Sequence, residues 1–330
     1  MISAIITERR NSKKVNDVDR IYTPKLQEAM KAYLQGNYEI AYILFCELAW
    51  ENNGRAMYFL GMFFDSSNSL FGRIEGVNVV KLSREMSSAW YKLGASRNDA
   101  LATLAFIRNE LKEKKTSIRI FNDYFEAVRT MAVKGDVFAK MEMYYTYRDA
   151  SNYENKYANY LKRDNKEEFK WLREAAESGN PEGMVKLGTC YDGGYYAYGV
   201  VSDYKEAVRW YQKAAELNNS RAMYYLGVLY SQGRGVQQDY SEAMKWYMNS
   251  AELGDVEAML KLGTAFENGL GVEKNYGEAF RWYMKAAGTG HGRGVEGLSK
   301  VERLLIKNLN ATTPIFKMLC FPKLPIAVKK

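Results

Sequence analysis

The chain has 330 residues, 47% of them hydrophobic and 26% charged, the balance of a folded polypeptide rather than a disordered one. No apolar run approaches the ~18 residues of a membrane span, and the opening MISAIITERRNSKK lacks the apolar core of a secretory signal. The net charge is +8, but seven bases against two acids between 296 and 330 supply +5 of it, so the body is near neutral. That distribution leaves no basic stripe for nucleic acid.

Residues 1–23 are predicted to be a flexible basic segment, and helical repeats begin at about Pro24. A recurring slot marks each unit. It holds Leu44-Phe45 in the first, Trp90-Tyr91 in the second and Ala127 in a degenerate third. Trp171-Leu172, Trp210-Tyr211, Trp246-Tyr247 and Trp282-Tyr283 follow. A second slot for Gly or Asn sits downstream of each: Asn52, Asn98, Gly135, Gly179, Asn218, Gly254 and Gly290. The last two intervals are both 36 residues and the earlier ones run from 37 to 46, so insertions fall in the N-terminal half. A fixed period of this size marks stacked supersecondary units. Seven units are expected between about Pro24 and Lys307, irregular over 24–163 and regular over 164–309.

Each unit reads as two helices. Gly or Asn in the slot suits the left-handed residue that closes a helix, and the next residue caps the following one: Asn53, Asp99, Asp136, Asn180, Asn219, Asp255, with His291 in the last unit. Caps for the tryptophan-bearing helices stand seven residues before that slot, at Asn37, Ser83, Asp164, Asp203, Asp239 and Asn275. Gly233-Arg234-Gly235 and Gly269-Leu270-Gly271 join helix to helix, so they are turns and not phosphate loops. Ala243, Trp246, Ser250 and Ala251 share one helical face, and Leu262-Gly263 on the paired helix is expected to let two backbones approach closely. Rings beside small residues are the packing of helix pairs that bury their faces only against neighbours.

The units from Ala207 to Val236 and from Ala243 to Val272 resemble the Sel1-like repeat (SLR), a relative of the tetratricopeptide repeat, with the pattern A-x-x-W-Y-x-x-A-A-x-x-G-x-x-x-A-x-x-x-L-G-x-x-Y-x-x-G-x-G-V. The resemblance implies an all-α protein, a right-handed α-solenoid of about seven helix-turn-helix units. It also implies an adaptor in signalling, complex assembly or effector and immunity settings. Some secreted members pair cysteines within each repeat and are linked to β-lactam binding or hydrolysis. Here Cys46, Cys190 and Cys320 form no such framework. That sets aside the alternative of a cell-wall-related enzyme or regulator and favours a cytoplasmic location.

Catalytic chemistry finds no constellation. His291 is the one histidine, at an ordinary helix start, and there is no P-loop, H-E-x-x-H or paired C-x-x-C. No catalytic residue, metal site or cofactor is expected. The expected function is instead to bind a protein or peptide on the solenoid groove. By the tetratricopeptide resemblance the groove is lined by the non-architectural positions Glu182, Val185, Thr189, Asp192, Arg221, Tyr224, Val228, Glu257, Leu260, Thr264 and Glu267. Residues 310–330 hold Pro314, Pro322 and Pro325 among apolar side chains, which forbids a continuous helix. This tail is expected to lie extended on the last helix pair in preference to a membrane surface.

Overall fold

The computed structural model describes residues 23–64, 84–110, 118–151, 160–193 and 199–308. The described residues form fifteen helices and no strand. In chain order they are α1 (Pro24–Leu34), α2 (Tyr38–Trp50), α3 (Gly54–Phe63), α4 (Arg84–Ser96), α5 (Ala100–Glu110), α6 (Ile118–Val133), α7 (Val137–Ser151) and α8 (Asn165–Glu177). Then come α9 (Pro181–Gly193), α10 (Tyr204–Glu216), α11 (Ser220–Gln232), α12 (Tyr240–Glu252), α13 (Val256–Asn268), α14 (Tyr276–Gly288) and α15 (Gly292–Asn308). The chain divides into two compact units, Met1–Gln238 and Asp239–Lys330. Within each, every helix packs on the next in sequence, which is the neighbour-to-neighbour stacking of an α-solenoid. The seven expected pairs run from α2–α3 to α14–α15; α1 is an additional helix ahead of them.

Local backbone chemistry sets the boundaries. All seven slot residues have positive φ: Asn52 (65°), Asn98 (62°), Gly135 (99°), Gly179 (94°), Asn218 (53°), Gly254 (85°) and Gly290 (82°). Asparagine is the non-glycine residue that tolerates this region best, which explains the substitution at three slots. The following residue then caps: Asn53, Asp99, Asp136, Asn180, Asn219 and Asp255 accept hydrogen bonds from backbone N–H groups two or three residues on. Asp164, Asp203, Asp239 and Asn275 do the same for the partner helices. Asn37 is the exception, with no side-chain cap bond; Ser83 lies outside the described residues.

The interlock of ring and glycine takes a different form from the expected one. The notch at Gly263 receives the ring of Tyr283 rather than a neighbouring backbone: a Cβ there would stand 2.6 Å from the ring. Gly188 receives Tyr211 at the same 2.6 Å, and Gly61 receives Tyr91. Tyr91, Tyr211, Tyr247 and Tyr283 are buried, whereas Trp90, Trp210 and Trp246 are only half-buried. Tyrosine therefore fills the notches at Gly61, Gly188 and Gly263, while Trp171 and Trp282 are buried as well.

Candidate protein-interaction surface

In the first unit, the helices that follow each Gly or Asn slot differ sharply in exposure. Burial is unbroken from Arg55 to Phe64 on α3, from Asp99 to Arg108 on α5 and from Met141 to Tyr147 on α7. Charged side chains lie inside these runs. Arg55 on α3 reaches the cap of α5, Asp99, at 2.8 Å and the cap of α7, Asp136, at 3.3 Å. Arg108 on α5 stands 3.4 Å from Glu142 and 3.8 Å from Asp149, both on α7. Tyr58 donates to Glu142 at 3.2 Å, and burial holds its phenol well above the usual range. Ions this deep persist only when paired. This polar ladder ties three alternate helices together and is shielded from solvent except at its edge, where Asp136 and Asp149 are each 10% exposed.

Exposure becomes periodic on α11. Arg221, Tyr224, Tyr225 and Val228 are half-buried, on one face at helical spacing, while Ala222, Met223, Leu226 and Leu229 are buried. The Arg221 guanidinium lies 5.4 Å from the centre of the Tyr224 ring and 5.5 Å from that of Tyr225. Tyr225 stacks in turn on Tyr211 at 5.0 Å and 18°. Two rings and a cation in register give a surface with planar apolar area, hydroxyls and a positive charge, already ordered by packing.

The sequence-predicted residues divide on the same criterion. On α9, Glu182 and Val185 are buried. The Glu182 carboxylate accepts from the Tyr145 hydroxyl and pairs with Lys186 at 3.2 Å, so it serves the chain's own packing. Thr189 is exposed although its hydroxyl donates to the Val185 carbonyl at 2.7 Å. Asp192 is half-buried; burial raises its carboxyl pKa, with Arg234 at 4.0 Å opposing the shift. Tyr225 and Arg234 were not singled out by periodicity, although the Tyr224-Tyr225 doublet and the cation in the following turn are visible signals. Cys190 is buried, and its thiol is pushed up to about 12 by desolvation, with Glu168 adding to it, which makes it a packing residue.

In the second unit, Leu260 and Glu267 of α13 are buried. Glu267 accepts from Tyr283 at 3.1 Å and pairs with Lys300 of α15 at 2.5 Å. Glu257 is half-buried, bonded to Arg293 and 3.8 Å from His291. Thr264 is exposed, with its hydroxyl 3.2 Å from that of Tyr283. Arg293 thus clips α15 to Glu257 of α13, with His291 beside the pair at the start of α15. Among the described residues no group of three or more His, Cys, Asp or Glu could hold a metal ion. Among them, too, no helix is long and apolar enough to cross a membrane. The tail from 310 lies outside the described residues.

Helix pairs closed by left-handed Gly or Asn, capped by Asp or Asn and interlocked by tyrosine in glycine define the class: an α-solenoid of helix-turn-helix repeats. The Sel1 repeat model matches residues 147–180, 181–219, 220–255 and 256–291. Residues 147–291 are thus four Sel1 repeats, consistent with a Sel1-like repeat protein. No curated protein matches the chain. Among solved structures, a Sel1 repeat protein from Oxalobacter formigenes is 28% identical, with 79% of this chain and 98% of that one covered and a TM-score of 0.48. A protective antigen of uropathogenic Escherichia coli that displays an SLR fold is 22% identical; 82% of this chain and 54% of that one are covered, with a TM-score of 0.52. An immunity protein from Pseudomonas aeruginosa is 15% identical, over 77% and 86% of the two chains, with a TM-score of 0.38.

Proposed function

We propose that the protein is a non-catalytic scaffold that binds a protein or peptide on the α11 face of its first unit. Sel1 repeat proteins are generally interaction scaffolds, and one observation carries the reading for this chain. Among the helices that follow the Gly or Asn slots in this unit, α11 presents a partly exposed, helically spaced stripe of Arg and Tyr, where α3, α5 and α7 carry the unbroken buried runs Arg55–Phe63, Ala100–Arg108 and Met141–Tyr147. Arg and Tyr are frequent energetic anchors because they combine large contact area with directed polar groups. Thr189 and Asp192 extend the surface from α9. Glu182 and Val185 support it from inside, as Leu260 and Glu267 support the second unit. The free cysteines Cys46 and Cys190 support a cytoplasmic setting.

The test is affinity purification from the native host by full-length protein and by an Arg221→Ala/Tyr224→Ala variant, with helical content checked by circular dichroism. A specific partner captured by the wild type should bind the variant at least tenfold more weakly, the loss expected from removing two anchors. Equal affinity would move the site elsewhere.

A further inference from the structure

α1 is supernumerary to the seven pairs, and it is amphipathic: Leu26, Ala29 and Tyr33 are fully buried at i, i+3 and i+7. Tyr33 lies tilted on Phe59 at 5.8 Å and edge-to-face on Phe63 at 6.3 Å, both on α3, and edge-to-face on Phe138 of α7 at 5.5 Å. Burial, and after it the Glu182 carboxylate of α9, holds its phenol well above the usual range. The chain then turns at Gly36, with φ +75°, where the backbone lies against the Leu217 carbonyl and the Asn218 side chain in the turn between α10 and α11. Tyr38, the first residue of α2, is edge-to-face on Tyr33 at 5.6 Å. Tyr33 and Gly36 thus reach α3, α7 and the turn before α11. A helix with anchors at this spacing, laid across several repeats, is how solenoids and other grooved proteins hold helical peptides.

We propose that the inner face of the first unit is a recognition site for an amphipathic helix ending in a tyrosine and a glycine bend, and that α1 occupies it in cis. Leu26, Ala29 and Tyr33 are the anchors, and Gly36 is required because only a residue without a Cβ passes the Leu217 carbonyl at positive φ. α1 also packs along α2, where Lys25 adds pairs to Glu47 at 3.0 Å and Glu51 at 2.9 Å. Such exposed pairs are weak. A partner helix of the same anchor pattern displaces α1 and reaches α3, α7 and α9, which the closed state hides. The Arg221–Tyr224 stripe begins just past this closure.

The test uses the full chain. Gly36→Val places a side chain where the Leu217 carbonyl stands and should release α1. Hydrogen exchange in α7 and α9 should then rise at least tenfold while α13 and α14 are unchanged. A labelled synthetic peptide of residues 23–38 should bind this variant and not the wild type. Unchanged exchange with no peptide binding would overturn the proposal. Should Gly36→Val not fold, Tyr33→Ala removes the central anchor without backbone strain and should give the same pair of results. In the wild type itself, α1 amides should exchange at least a hundredfold faster than those of α3; equal protection would make α1 a fixed core helix and also overturn the proposal.

Discussion

Replacing Arg55 by methionine tests whether the inner helices of the first unit are held by their caps. The Arg55 side chain is fully buried and bridges Asp99, itself 2% exposed, to Asp136, which is 10% exposed. Methionine keeps most of the volume and removes the charge, so the cost comes from the carboxylates left behind. Breaking a buried pair by removing one partner costs about 3–5 kcal/mol. Asp136 borders solvent and rehydrates in part, which places the loss in the lower half of that range. Asp99 keeps its cap bond to Ala102 at 2.8 Å, and asparagine serves as cap at the equivalent Asn53, Asn180 and Asn219. Adding Asp99→Asn to Arg55→Met should therefore remove the stranded charge, keep the cap and restore about 1–2 kcal/mol. Urea unfolding followed by circular dichroism at helical wavelengths measures both. If Arg55→Met lies within about 1 kcal/mol of wild type, or the double variant is no more stable than the single one, the caps are not clipped through Arg55.

Burial holds the phenols of Tyr33, Tyr58 and Tyr145 well above the usual 10.0. The unfolded chain loses these protons from about pH 10 while the folded chain retains them. Stability is thus intact below pH 10 and falls above it, by about 1.4 kcal/mol per pH unit for each tyrosine. Urea midpoints that stay flat to about pH 11.5 would contradict this. Gly263→Val drives a side chain into the Tyr283 ring and should cost about 1–3 kcal/mol through overpacking; Gly188→Val should do the same against Tyr211, and unchanged melting temperatures would refute the notch. Deleting the chain after Ala311 should lower the melting temperature or promote self-association, if the tail covers the last helix pair as its composition suggests; an unchanged melting curve would count against that role.

What the sequence made legible was whatever local backbone chemistry decides. Asn52, Asn98 and Asn218 are read as helix-closing residues without any neighbour, because φ near +60° is a property of the residue itself. Asp164 and Asp203 are read as caps for the same reason. Residues whose fate depends on distant chain were misplaced. Glu182, Val185, Leu260 and Glu267 occupy positions that the repeat leaves non-architectural, yet all four are buried, Glu182 against Tyr145 of α7 and Glu267 against Tyr283 of α14 and Lys300 of α15. Ring choice was ambiguous too. Trp-Tyr doublets announce a ring–glycine interlock but not which ring enters the notch, and at Gly188 and Gly263 it is the tyrosine.

The same distinction explains why the partner surface is narrow. A solenoid face is open only where no other part of the chain crosses it. In the first unit the crossing elements are α1 and the buried charges of α3, α5 and α7, and they withdraw those helices from solvent. α1 reaches as far as the turn before α11, where Gly36 meets Leu217, and the exposed stripe begins just past it at Arg221. The contact that closes the inner face therefore ends beside the surface that remains open. A partner seated on Arg221 and Tyr224 would lie next to the α1 turn, which meets Leu217 and Asn218. Partner affinity should then rise when α1 is released by Gly36→Val. An affinity for the α11 face that is the same with α1 docked and released would show that the two surfaces act separately.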